Sequence, residues 1–135
     1  MAWLKVYEWE RAKWPEFQEI KVHRFQQGVL LEKLARHFKV SCPDLMQSNK
    51  RGANANSQES GAAGSYHRSG YGVPTIRLGM VTTLGTLLHE FAHHLNWVNY
   101  RQHGHGRKFK RELKRTYTWG KRYLPKMVVD SSQAT

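Results

Sequence analysis

Apolar residues recur along this chain in blocks of helical and of extended character. Between Pro15 and Phe38, Leu30, Leu34 and Phe38 repeat at four-residue spacing, with Val22, Phe25 and Val29 continuing upstream. That pattern predicts one helix over 15–38, with Gly28 costing about 1 kcal/mol inside it. Val40 to Leu45 reads as a short extended piece entering a loop. Ser65 to Arg68 and Val73 to Leu78 form a predicted hairpin across Ser69-Gly70-Tyr71-Gly72. Within it, Thr75-Ile76-Arg77-Leu78 is the clearest strand, whose exposed edge could hold an extended peptide. A second helix opens at Thr82 or Thr83, either of which can cap it, and buries Leu84, Leu87, Leu88, Phe91 and Leu95. A last helix runs from Arg107 to Trp119 with Phe109, Leu113 and Tyr117 inward, Gly120 as its stop and residues 127–135 as a frayed tail. At the start, Trp3, Tyr7 and Trp14 share one helical face, or Val6 to Trp9 is a strand. Pro15 interrupts either, and completing a small core is the expected use of these rings.

The blocks predict a small α+β domain over residues 1–126, with a short sheet packed on the second helix. Residues 48–72 are rich in Gly, Ser, Asn and Ala. They bury little, which predicts a mobile loop over about 48–64. The 135-residue chain suits one domain. It has no apolar run of membrane-spanning length and no signal-peptide pattern at its start. One cysteine, Cys42, allows no internal disulfide. These features predict a soluble protein of a reducing, intracellular compartment.

Charge changes the picture. The formal net charge is +12, and the excess is uneven. Arg107, Lys108, Lys110, Arg111, Lys114, Arg115, Lys121 and Arg122 lie on or just beyond the last predicted helix, with Glu112 the one acid among them. A basic stripe of this density suits phosphates and predicts nucleic-acid contact. The plainer alternative is a solvated basic face.

The second helix carries the chemistry. His89-Glu90-Phe91-Ala92-His93 is an HExxH pattern. Residues four apart share a helix face, so His89 and His93 can both reach one zinc ion at about 2.0–2.1 Å. Glu90 is placed to take a proton from a water on that ion. A catalytic zinc needs a third protein ligand and an open position. His105, flanked by Gly104 and Gly106 that can turn the chain back, is the natural candidate. His103 competes for the role, while His94 is rotated about 100° from His93 and is expected to support the site or to lie at the surface. His23, His37 and His67 have no spaced partners and are expected at the surface.

The strand Ile76-Arg77-Leu78, the HExxH helix and His105-Gly106-Arg107-Lys108-Phe109 together resemble the SprT-like metalloproteases. Coverage is roughly residues 74 to 115, and the brevity of the chain is similar to that of short members carried by phages or mobile elements. The resemblance implies zinc held by His89, His93 and His105, Glu90 as general base, and a protease of DNA-associated proteins, including proteins crosslinked to DNA. Larger members add a cysteine zinc ribbon, which one cysteine cannot build, so DNA targeting would fall to the basic helix or to another protein. As oxyanion donors, Tyr66, Tyr71 and Arg77 stay open. Two rival functions remain: a three-histidine metal-dependent nuclease, which has no need of Glu90, and a non-catalytic DNA-binding protein whose zinc takes His94 or His103 as a fourth ligand. Access to the zinc is expected to be controlled by the 48–72 loop or by DNA.

Overall fold

The computed structural model describes residues 9–10, 12–13, 15–47, 64–67 and 73–134. Expectations for Trp3, Tyr7, Trp14, Tyr71 and most of the 48–72 loop fall outside these residues. The described chain is mixed α+β, with two small sheets packed against helices. Its elements are a 3-10 turn (Pro15–Gln18), β1 (Lys21–His23), α1 (Arg24–Phe38), β2 (Asp44–Gln47), β3 (Gly64–His67), β4 (Thr75–Leu78), β5 (Val81–Thr83), α2 (Leu84–Tyr100) and α3 (Arg107–Ala134). Among the described residues no helix is long and apolar enough to cross a membrane.

Helix α2 forms where its cap and its apolar spacing agree. Thr83 is the N-cap, its side-chain oxygen accepting the Thr86 N–H at 3.1 Å. Leu84, Leu87, Leu88, Phe91 and Leu95 are fully buried. At about 1.5–3 kcal/mol for each large apolar side chain taken from water, this stripe outweighs the helix's modest intrinsic propensity. Its main partner is α3, which presents Phe109, Leu113 and Tyr117 inward, all buried.

Helix α3 does not stop at Gly120 but continues to Ala134, through most of the stretch expected as a tail. The glycine serves packing instead. A Cβ at position 120 would lie 2.9 Å from Leu88 Cδ1 and 3.1 Å from Phe17 Cζ, so its absence lets α3 approach α2 and the 3-10 turn.

The single helix predicted over 15–38 is likewise three pieces. Residues 15–18 form the 3-10 turn, and β1 pairs antiparallel with β5, Val22 opposite Thr82. Helix α1 starts only at Arg24 and runs unbroken through Gly28. Its buried face is Gln27, Leu30, Leu31, Leu34 and Ala35. At 100° per residue, Phe25 and Val29 lie roughly opposite that face. They are 84% and 45% exposed. Buried Gln27 ties the junction together, donating to the carbonyls of Val22 (3.0 Å), Gly79 (3.0 Å) and Met80 (3.3 Å).

The predicted pairing of 65–68 with 73–78 is present as β3 against β4, antiparallel, with Tyr66 opposite Ile76. The piece after Val40 becomes β2, parallel to β4. Strand order is therefore β2-β4-β3. Both edges of β4 are occupied, so the expected exposed peptide-binding edge is not on Thr75–Leu78.

Candidate metal centre

The three histidines converge. His89 and His93 lie one turn apart on α2, with ring centroids 5.0 Å apart. Arg101, with φ 55°, closes α2 in a left-handed C-cap. Gly104 at φ 94° turns the chain again, a conformation that only glycine adopts without strain. His105 is thereby returned to α2, its centroid 5.1 Å from His89 and 4.8 Å from His93. The ligating atoms of the three rings lie within 4.8 Å of one another. Nε2 of His89 and Nε2 of His105 are 3.2 Å apart. Two nitrogens on a tetrahedral ion at about 2.0–2.1 Å would be about 3.3 Å apart, so the spacing and the all-imidazole donor set fit a divalent transition metal.

Phe109 closes the back of the site. It is fully buried, stacks on His93 at 4.3 Å and meets His89 and His105 at 5.2 and 4.8 Å. Burial, with the neighbouring imidazoles, pushes the His93 ring down to about 2, and burial, His89 and Lys110 bring His105 to about 4. Both rings are neutral at physiological pH and keep a lone pair for a metal. Burial also pulls His89 down, but the Glu10 hydrogen bond and charge, with Glu90, carry it above its ordinary value.

Glu90 is buried on the β3 side of α2. Burial raises its carboxyl to about 7, the charge of His89 opposing and that of Glu10 adding to the rise. Gly64 of β3 lies against it: a Cβ there would sit 3.2 Å from Glu90 Cγ and 2.9 Å from Thr86 Cγ2. Any side chain at position 64 would press on the Glu90 side-chain stem and on Thr86.

His94 is fully buried and both its nitrogens are engaged. Nε2 lies 2.7 Å from the Ser41 carbonyl, which can only accept, so Nε2 carries the proton. Nδ1, 2.9 Å from Tyr66 Oη, then accepts the tyrosine proton. Neither nitrogen faces the triad, which leaves His94 a bracing group between α2, β3 and the segment after α1. His103 is exposed and outside the converging group. His23, His37 and His67 are exposed as expected. Of the oxyanion candidates, Tyr66 faces α2, its ring parallel to His93 at 6.5 Å. Arg77 alternates with buried Ile76 and Leu78 and so faces the other side of the sheet.

Glu10 escaped the sequence reading. Its Oε2 lies 2.6 Å from His89 Nδ1, and both side chains are about 95% buried (4% and 5% exposed). Nothing local marks this acid among its charged neighbours.

The eight basic residues singled out on α3 are all exposed. With 100° between successive residues they share one face, on which Thr118 is the one non-basic residue through Arg122. Glu112 is turned inward, bonded by Arg115 at 2.7 Å and by Asn99 at 3.4 Å. Lys108 lies over the Tyr100 ring at 4.7 Å and Arg115 over Phe38 at 5.0 Å, which orders two of the eight against aromatic surface.

Residues 75–129, from β4 through most of α3, match the SprT-like family. This part of the chain is a SprT-like domain. The match spans all three converging histidines and Glu90, and leaves out Glu10, α1 and β3. No curated protein and no solved structure matches the chain. The SprT-like match over these residues points to a metallopeptidase, and the triad is a site that could hold a metal.

Proposed function

We infer that the protein is a zinc-dependent endopeptidase. The observation that carries this reading is the convergence of three imidazole donors within 4.8 Å, with a buried carboxylate one residue from the first of them. Neutral imidazoles in a three-ligand set suit zinc with a position left open. His89, His93 and His105 would hold it. When bound, the ion supplies Lewis acidity to a water and to the substrate carbonyl. Glu90 takes the proton of the attacking water and returns it to the leaving amine. Its buried side chain, one residue from His89, is placed for both halves of that transfer. Phe109 and the α2–β3 contact keep bulk water from the back of the site.

The substrate would be an extended or unfolded protein segment. The basic face of α3, free of acids from Arg107 to Arg122, supports a DNA-associated substrate, because it offers a row of cations to phosphates. A nuclease reading gains nothing from the site, since phosphodiester hydrolysis by three histidines leaves Glu90 unexplained. A four-ligand structural zinc would need His94 or His103, and the first is bonded through both nitrogens while the second lies outside the cluster.

The test compares wild type with Glu90→Gln for bound zinc and for cleavage of casein or histone, with and without single-stranded DNA. Stoichiometric zinc in both proteins, with cleavage lost in the variant, is the expected result. Bound zinc with no proteolysis in wild type, but with cleavage of the DNA, would transfer the assignment to a nuclease.

A further inference from the structure

The family match begins at residue 75, yet a buried carboxylate far upstream touches the metal centre. Glu10 is 79 positions from His89 in sequence, and its Oε2 stands 2.6 Å from Nδ1 of that ring. The contact is built, not incidental. Trp9, beside it, is partly buried and packs on Tyr117 at 6.2 Å. Tyr117 in turn donates through its hydroxyl to the Gly85 carbonyl at 3.1 Å, one turn before His89 on α2. Phe17 meets the same tyrosine edge-on at 5.2 Å. The segment carrying Glu10 is thus docked on the same stretch of α2 and α3 that shapes the triad.

A carboxylate shut away from water is costly unless something offsets its charge. The group facing it is the His89 imidazole, and behind that ring lie the other two imidazoles. An ionised carboxylate can only accept, so the hydrogen bond requires the proton on Nδ1. That choice leaves the lone pair on Nε2, the atom 3.2 Å from His105 Nε2. The neutral tautomer selected by Glu10 is therefore the one whose free nitrogen points into the triad.

We propose that Glu10 is a positioning residue of the metal centre: it fixes the tautomer and orientation of His89 and offsets, through the imidazole, the charge of the ion. This rests on the metal-site reading above. With a divalent cation, three neutral imidazoles, Glu90 and Glu10, the buried site sums to zero formal charge. Without Glu10 it would carry a net positive charge beside a ring that is almost wholly buried. Carboxylates that hold a metal-bound histidine in this way typically raise metal affinity by about 10- to 100-fold.

The experiment is zinc affinity of the full chain, by competition with a chromophoric chelator, for wild type, Glu10→Gln and Glu10→Ala. Circular dichroism in chelator checks that each is folded. We expect Glu10→Ala to bind about 10- to 100-fold more weakly. Glu10→Gln should fall between it and wild type, since an amide oxygen still accepts from Nδ1 but carries no charge. A merely structural Glu10 would lower thermal stability in chelator and leave the affinity of the folded variants within twofold of wild type; that result overturns the proposal. Wild type that binds no zinc would overturn the metal-site reading itself. Should the variants not fold, nitrogen-15 NMR of zinc-loaded wild type decides: Nδ1 of His89 protonated supports the proposal, and Nδ1 bound to zinc defeats it.

Discussion

Replacing Glu90 by Gln should stabilise the metal-free protein at neutral and alkaline pH while removing its proposed base. The carboxyl ionises at 4.5 in an ordinary setting and at about 7 in the fold, chiefly because burial disfavours the charged form. Between those values the folded state holds more protons than the unfolded state, so stability falls as pH rises through that window. Below 4.5 the penalty is absent and above 7 it is complete. At about 1.4 kcal/mol for each tenfold change in proton affinity, it amounts to roughly 3 kcal/mol. Glutamine matches the protonated acid in shape and never ionises, so the variant escapes the penalty. Urea unfolding in chelator should therefore show a gain of roughly 3 kcal/mol at pH 8, shrinking to about 1 kcal/mol at pH 5. In a thermal scan the pH 8 gain corresponds to roughly 10 °C. Zinc should reverse the order of the two proteins, because a nearby cation stabilises the wild-type carboxylate. Equal stabilities at pH 8, or a gain unchanged between pH 5 and pH 8, would refute the reasoning, the second by pointing to packing instead of charge.

Three further outcomes follow from local geometry. Gly28→Ala should stabilise the protein by roughly 0.5–1 kcal/mol through helix propensity, since a Cβ there meets nothing within 4 Å. Gly120→Ala should lose about 1–3 kcal/mol to overpacking against Leu88 and Phe17 despite the same propensity gain, and urea midpoints of the two variants should move in opposite directions. His105→Ala should lose stoichiometric zinc on dialysis while His103→Ala keeps it, because only His105 belongs to the converging group; the reverse result would move the third ligand to His103.

What the sequence could reveal of this fold depended on how far apart the interacting residues lie. His89, Glu90 and His93 occupy one helix whose buried leucines set its phase, so their common direction follows from spacing alone. His105 is 16 positions from His89 and was legible because Gly104 and Gly106 mark where the chain can turn. The pairing of β3 with β4 was legible from the turn residues Ser69-Gly70-Tyr71-Gly72 between them, but not that β2 would close the other edge of β4, since strand order is a tertiary choice. Gly120 illustrates the same limit. Propensity alone makes a glycine after an apolar repeat a helix stop, and only Leu88 and Phe17, brought against it by packing, turn it into a point of close approach. Phe25 and Val29 share four-residue spacing with each other but lie roughly opposite Leu30 and Leu34 in the same helix, and Val22 is buried from β1 instead. Glu10 lies at the far end of this scale. No periodicity or neighbour distinguishes it from Glu8 or Glu16, and its place behind His89 exists only once Trp9, Phe17 and Tyr117 have met. The candidate ligand set is therefore written locally, in residues 89–105, whereas the hydrogen bond proposed to select which His89 nitrogen faces the triad joins residues 79 positions apart. A fragment reduced to the family-matched residues 75–129 would keep every candidate ligand and lose that selection.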